Sequence, residues 1–167
     1  PVPRFVMTND VVNDQIIEDT RYPKSGDPNP LVKLGIANVT GTSRIPNVGR
    51  VPGVGGRLPS GVRRFGDLVQ FADLGNYKPE DLLIGRVAWS PDSKAVVFQA
   101  QNREQTFLDL NAASLNGKVK KLFTEVSPAW VAINDNPFFM KDGTAVWQSE
   151  RDGWAHLYYY DNDGKLI

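Results

Sequence analysis

Residues 89–97 read WSPDSKAVV, and residues 139–147, at an offset of 50 residues, read FMKDGTAVW. Each copy has an aromatic residue, a turn rich in Pro, Asp or Gly, and a run that favours a β-strand. A second aromatic segment recurs at the same offset, TFL at residues 106–108 and HLY at residues 156–158. A repeat of about 40–50 residues with four short strands is typical of a β-propeller blade. We therefore predict an all-β partial β-propeller of about two to three four-stranded antiparallel blades, incomplete at both ends.

The first copy of the repeat divides into strands throughout its length. The pattern predicts a hairpin turn at Asn116-Gly117 and four strands, at residues 85–90, 95–101, 106–111 and 118–124. Residues 85–125 are therefore predicted to form a complete blade. The second copy predicts three strands from about residue 136 and a turn at residues 161–164, so residues 126–167 form an incomplete blade.

The chain before residue 85 is less regular. Two strands are predicted within a partial blade at residues 1–40, one at 4–12 and one at 31–39, with a long polar connection between them. Residues 41–84 are predicted to be a Gly/Pro-rich insertion or extension of the same propeller domain. Within it, residues 41–66 hold seven glycines, residues 67–74 favour a strand, and residues 76–83 favour a turn.

Composition excludes several classes of function. Lys and Arg together number 19, as do Asp and Glu, so no charge field favours nucleic acid or an anionic membrane. The sequence has no cysteine and one histidine, which excludes thiolate and multi-histidine metal sites. We expect no cofactor, no metal, no nucleic-acid partner and no membrane contact by this segment.

Motifs for catalysis are incomplete. The segment GTSRI at residues 41–45 lacks the closing glycine of a hydrolase nucleophile elbow. We therefore interpret Ser43 as a loop serine and His156 as a strand histidine, and we predict that this chain alone is not an enzyme.

Four further patterns are given structural interpretations. The glycine-rich residues 49–61 lack the following helix of a phosphate loop and favour a flexible insertion. Residues 161–164 favour a hairpin turn over a calcium loop. Glu150 and Asp152 flank Arg151, which predicts a solvated loop with local charge pairing. Recurring aromatic residues predict packing between successive blades rather than a ligand platform; these are Trp89, Phe98, Phe107, Trp147, Trp154 and Tyr158.

Three segments, in order, carry a resemblance to one family. YPKSGDPNP at residues 22–30, WSPD at residues 89–92 and SERDGWAHLY at residues 149–158 resemble the propeller of the dipeptidyl peptidase IV family. The resemblance implies a parent serine exopeptidase that cleaves dipeptides from peptide N-termini. In that family an α/β-hydrolase domain follows the propeller, which gates substrate access and supports a homodimer. The resemblance also favours a periplasmic, secreted or membrane-anchored parent.

The resemblance also implies site residues. The family's paired-glutamate motif, which binds the substrate amino terminus, has no match before Pro23, so it is expected upstream of this chain. A substrate-facing loop near a tryptophan-valine pair corresponds to Trp130-Val131, which makes Trp130, Asn134 and Asp135 substrate-facing candidates. Residues 132–135 read AIND where better-known members have Gly-Arg-Phe-Arg. The family's dimer arm corresponds to residues 41–83, where the candidate contact residues are Arg50, Arg57, Phe65 and Phe71.

A different class of function also fits the WSPD turn. The chain could belong to a binding propeller that acts as a scaffold for a protein partner, with no peptidase domain attached. A paired-glutamate motif upstream and a G-x-S-x-G elbow downstream would favour the peptidase, and their absence would favour the scaffold. The chain begins without Met and stops soon after a turn, so we expect it to be a segment of a longer protein.

Overall fold

The structure is a computed structural model that describes residues 2–9, 16–21, 23–37 and 69–167. In these ranges every regular element is a β-strand. The strands are β1 Arg4–Asn9, β2 Ile16–Arg21, β3 Gly35–Ala37, β4 Val69–Phe71, β5 Leu82–Trp89, β6 Ala95–Asn102, β7 Phe107–Ser114, β8 Val119–Val126, β9 Phe138–Phe139, β10 Ala145–Ser149 and β11 His156–Tyr160. No helix that could cross a membrane occurs in the described ranges.

The strands form four antiparallel sheets. The largest has the order β5-β6-β7-β8, as expected for a blade that the chain traverses up and down. A three-stranded sheet, β11-β10-β9, follows it, and two two-stranded sheets, β1-β2 and β3-β4, precede it. This arrangement confirms the prediction of an all-β partial propeller.

The four-stranded sheet is covered on both faces. On one face, Val96, Phe98 and Ala113 pack with Ile36 and Ala72 from the region of β3 and β4. On the other face, a second cluster combines residues of β6 and β7 with residues that follow β8: Val97, Leu108, Leu110, Val131, Trp147 and Tyr160. Sheets stacked face to face in this way are the basis of a propeller core. Burial on both faces explains why all six inner residues of β6 are buried.

Two turns at the predicted offset have the same local structure. The amide of Lys94 donates to Asp92 Oδ1 at 3.1 Å, and the amide of Thr144 donates to Asp142 Oδ1 at 3.0 Å. The residue between the partners has a left-handed conformation in both turns, with φ of 57° at Ser93 and 88° at Gly143. The repeat seen in the sequence is therefore also a structural repeat at these turns.

Several strand predictions differ from the structure. The polar connection predicted after residue 12 contains β2, which pairs with β1. The strand pattern of β2 is concealed by its charged residues, among them Asp19, which is bonded to Arg4 at 3.1 Å. Residues 31–34 lie outside β3, which covers only part of the predicted strand. The turn predicted at residues 76–83 ends early, because Leu82 and Leu83 already belong to β5. The division of the chain into blades at residues 40, 84 and 125 stays a prediction.

The six aromatic residues predicted to pack between blades divide into three groups, of which Phe107 and Tyr158 form a partly buried one. Phe98 and Trp147 are buried, with exposed fractions of 0% and 1%. Trp89 and Trp154 are 54% and 76% exposed, so within the described part of the chain they do not show the predicted packing. Trp89 is the last residue of β5, and Trp154 follows the turn at Gly153.

Candidate functional site

A cleft of about 220 Å³ opens where β8 ends and the chain crosses to the three-stranded sheet. It lies between the segment after β8 and the loop after β10. We call it the Trp130 cleft, and its lining residues are Glu125, Val126, Ser127, Pro128, Trp130, Val131, Ala132, Asn134, Glu150, Arg151 and Gly153. Glu125 and Val126 belong to the end of β8. The rest of the lining lies in connections between strands, where side chains can contact a ligand.

The segment after β8 is fixed to the preceding blade. The amide of Ser127 donates to the Thr106 carbonyl at 3.0 Å, and the amide of Val131 donates to the Gln105 carbonyl at 2.6 Å. The Val131 side chain is buried in the core cluster beside Trp147. Trp130, one residue earlier, is 68% exposed. A well-anchored backbone therefore presents an exposed indole at the mouth of the cleft.

A buried carboxylate forms the base of the cleft. Glu125, at the end of β8, is only 7% exposed. It accepts hydrogen bonds from Trp147 Nε1 at 2.8 Å and from the hydroxyl of Ser149. Buried carboxylates are stable only when their oxygens are bonded in this way. These two bonds connect the four-stranded sheet to β10.

Arg151 contributes the positive charge of the cleft. Its Nε donates to Ser149 Oγ at 2.9 Å, and an Nη donates to the Tyr160 hydroxyl at 2.7 Å. The guanidinium lies over the Tyr158 ring, 4.1 Å from its centroid, in a cation–π contact. Ser149 bonds both Arg151 and Glu125, so it connects the two charges. These contacts orient the guanidinium while it remains in the cleft lining.

The acidic residue after Arg151 has different partners. The hydroxyl of Tyr158 donates to Asp152 Oδ2 at 3.0 Å, and His156 Nδ1 lies 3.5 Å from the same oxygen. The Tyr158 hydrogen bond is the main cause that keeps the pKa of Asp152 below its usual value. Desolvation and Asp152 raise the pKa of Tyr158. The loop is exposed, as predicted, but Arg151 bonds Ser149 and Tyr160 instead of an adjacent carboxylate.

The substrate-facing candidates separate in the structure. Trp130 and Asn134 both line the cleft. Asn134 is fixed by a bond from Nδ2 to the Gln148 carbonyl at 2.8 Å. Asp135 lies outside the lining, with its side chain 99% exposed and 3.9 Å from Arg86 Nε. The substrate-facing role of all three residues stays a prediction.

Of the predicted dimer-arm residues, one lies in the described ranges. Phe71, in β4, is 50% exposed, and Lys33 Nζ lies 5.6 Å from its ring centroid. Arg50, Arg57 and Phe65 lie outside the described residues, as does Ser43. In the described ranges, no group of three His, Cys, Asp or Glu residues is placed to hold a metal ion.

Sequence reasoning missed Glu125 and the orientation of Arg151. Glu125 lies in the strand VKKLFTEV, whose other charged residues are exposed, so no pattern distinguishes it. The tyrosines of HLYYY carried a signal for Arg151. Tyr158 and Tyr160 are two residues apart in β11, so they lie on the same face and can both contact a preceding arginine.

The fold and the cleft together define a segment of a β-propeller with an inter-blade cleft. The family described as the dipeptidyl peptidase IV N-terminal region matches residues 1–167, and the chain belongs to that family. Two solved structures share the fold. A protein of Bacteroides ovatus assigned as a dipeptidyl aminopeptidase IV aligns with a TM-score of 0.68 at 20% identity over 98% of this chain. Porphyromonas gingivalis dipeptidyl peptidase 4 aligns with a TM-score of 0.70 at 21% identity over 99% of this chain.

The matched part of these two proteins is small. The chain covers 20% of the length of each solved structure, about a fifth. The comparisons therefore establish the family and the fold of this segment.

Proposed function

We propose that this chain is the non-catalytic propeller segment of a serine-type dipeptidyl peptidase that removes dipeptides from peptide N-termini. Membership of the dipeptidyl peptidase IV N-terminal family supports this proposal. The Trp130 cleft is its substrate-facing surface. The observation that carries this role is that one cleft is lined by both the exposed indole of Trp130 and the oriented guanidinium of Arg151.

The chemistry of the cleft suits a peptide. The indole offers a large apolar face on which a substrate side chain can pack. The guanidinium offers planar donors for a peptide carbonyl, and its orientation is already set by Ser149 and Tyr160. Pre-set donors bind at a lower entropic cost than mobile ones. Asn134 adds an amide side chain to the same lining.

Catalysis is assigned to a different part of the parent protein. A C-terminal α/β-hydrolase domain supplies a serine that attacks the scissile carbonyl, a histidine that takes its proton, and a carboxylate that orients the histidine. In this proposal the propeller covers the hydrolase domain and limits entry to unfolded peptides. This chain supplies binding and access control.

Residues 41–83 are proposed to support a homodimer of the parent. Phe71 contributes a half-exposed aromatic ring within this segment. Deleting residues 41–66 from the full-length protein is expected to convert a dimer to a monomer in light scattering. A dimer of unchanged mass would contradict this part of the proposal.

The peptidase activity is tested with the full-length protein and a set of unmodified peptides. Mass spectrometry of the products is expected to show loss of dipeptides from the N-terminus, and no loss when the same peptides are N-acetylated. Internal cleavage, or release of single residues, would contradict the proposal. Absence of any cleavage, together with retention of peptides or proteins on the propeller, would favour the scaffold function instead.

A further inference from the structure

Two glutamines are buried in the middle of an apolar strand. Gln99 and Gln101 lie in β6, and both have an exposed fraction of 0%. Because side chains alternate along a strand, both project from the face that also carries Val97, towards the second core cluster. A buried amide costs free energy unless its donors and acceptors are bonded. The hydrogen bonds that these glutamines make therefore indicate their structural role.

Both glutamines donate to the segment that forms the cleft. Gln101 Nε2 donates to the Val131 carbonyl at 2.7 Å. Gln99 Nε2 donates to the carbonyls of Asn134 and Asp135, each at 3.1 Å. Carbonyls in an irregular segment have no strand partner, and a buried one needs a side-chain donor. The glutamines supply these donors at two points along residues 131–135.

Each amide makes its hydrogen bonds through the nitrogen. Among the described residues, neither Gln99 Oε1 nor Gln101 Oε1 has a hydrogen-bond partner, and both atoms are buried. An unpaired buried acceptor costs free energy, whereas an apolar side chain of similar length would fill the space without that cost. The hydrogen bonds to residues 131–135 therefore explain why glutamine rather than an apolar residue occupies these two positions.

The bonds act on the residues that line the cleft. Both backbone groups of Val131 are bonded, the amide to the Gln105 carbonyl and the carbonyl to Gln101, which fixes the position of the adjacent Trp130. Asn134 is held from two sides, by Gln99 at its carbonyl and by the Gln148 carbonyl at its side chain. The side chain of Ile133, between these points, occupies space that Gly85 leaves open, since a Cβ on Gly85 would lie 2.6 Å from Ile133 Cδ1.

We propose that Gln99 and Gln101 are positioning residues that hold residues 131–135 so that Trp130 and Asn134 are presented to the peptide substrate. This inference rests on the proposed function. Because the glutamines act through the binding surface and not on the reacting atoms, their loss weakens binding of substrate and transition state alike. Such a loss raises KM and leaves kcat unchanged.

The test compares Gln99→Met and Gln101→Met in the full-length protein. Methionine keeps the length and flexibility of glutamine and removes its polar atoms. Gln70→Met is the control for the exchange measurement, because Gln70 is an exposed glutamine in β4, which belongs to a different sheet. Gln101→Met is expected to accelerate hydrogen exchange of the Val131 amide roughly two- to tenfold, the effect of one lost hydrogen bond. Gln99→Met is expected to have a smaller effect at Val131, since Gln99 bonds the carbonyls of Asn134 and Asp135, which lie three and four residues further along the chain.

The kinetic measurement distinguishes positioning from general stability. KM for a peptide substrate is expected to rise roughly three- to tenfold in both variants, with kcat within about twofold of the unmodified protein. Unchanged exchange at Val131 in Gln101→Met would overturn the inference, and so would faster exchange with unchanged KM. A fall in kcat at constant KM would also overturn it. If the unmodified protein cleaves no peptide, the proposed function fails, and the exchange measurement alone decides whether the glutamines position the segment.

Discussion

The indole Nε1 of Trp147 donates a hydrogen bond to the carboxylate of Glu125 across 2.8 Å, and this bond joins β10 to the preceding sheet. Both residues are buried, with Trp147 1% exposed and Glu125 7% exposed. Trp147 also contacts Phe123 edge to face, with ring centroids 5.5 Å apart. One strand, β8, therefore provides both an apolar and a polar partner for the same indole. This combination fixes the stacking of two successive sheets beside the Trp130 cleft.

Replacing Glu125 by Ala is expected to lower the free energy of unfolding by about 2–4 kcal/mol, since it leaves the buried donors of Trp147 and Ser149 without an acceptor. Glu125→Gln is expected to cost less, because its amide oxygen can still accept from Trp147. Glu104→Ala, at an exposed turn residue, is the control. Urea unfolding followed by tryptophan fluorescence measures all three; equal effects of Glu125→Ala and Glu104→Ala would contradict the account.

A second polar cluster lies on the opposite face of the four-stranded sheet. The Tyr77 hydroxyl donates to Asp109 Oδ2 at 2.9 Å, and Asn111 Nδ2 donates to the same hydroxyl at 2.9 Å. Burial raises the pKa of Tyr77, so the hydroxyl stays protonated at neutral pH.

Tyr77→Phe is expected to lower the free energy of unfolding by about 1–3 kcal/mol, because buried groups of Asp109 and Asn111 lose a partner. The control is Tyr159→Phe, which removes an exposed hydroxyl 2.7 Å from Thr144 Oγ1. The control is expected to change the free energy of unfolding by less than about 0.5 kcal/mol. Denaturant titration of both variants would refute the buried-cluster explanation if the two values were the same.

The repeated turns predict opposite effects of two substitutions. Gly143 has φ of 88°, and a Cβ there would lie 2.8 Å from Asn162 Oδ1, so Gly143→Ala is strained as well as crowded. It is expected to destabilise the protein by about 1–2 kcal/mol. At the equivalent position, Ser93 has φ of 57°. Ser93→Gly is expected to be neutral or to stabilise by up to about 1 kcal/mol. Thermal unfolding of each variant checks the pair, and the same sign for both changes would argue against equivalent turns.

The Asp152–Tyr158 bond predicts a dependence on pH. The Tyr158 hydrogen bond holds the pKa of Asp152 in the folded protein below its ordinary, unfolded value. The stabilising contribution of Asp152 is therefore complete above the unfolded pKa and is lost as pH falls through the folded pKa. Asp152→Asn is therefore expected to lower the unfolding midpoint at neutral pH. The difference from the unmodified protein is expected to shrink below the unfolded pKa. A difference that stays constant down to the most acidic pH would contradict the role of the charged carboxylate.

Local signals in the sequence predicted the blade strands well and the cleft poorly. The turns at Asn116-Gly117 and at residues 89–97 depend on neighbouring residues only, so they could be predicted from the pattern. Trp130 and Asn134 were found only through the family resemblance. Glu125, Gln99 and Gln101 acquire their roles from partners about 20 or more residues away in sequence. A single sequence does not show such partners, because tertiary packing determines which polar residues are buried.

The most direct test of the account is the kinetics of Trp130→Ala in the full-length protein, with Trp89→Ala as the matched control. Both tryptophans are exposed, at 68% and 54%, but only Trp130 lines the cleft. The account predicts that Trp130→Ala lowers kcat/KM for dipeptide release roughly tenfold, mainly through KM, as expected for loss of an aromatic contact. Trp89→Ala is predicted to leave kcat/KM within about twofold of the unmodified protein. Equal values for the two variants would contradict the claim that this cleft faces the substrate.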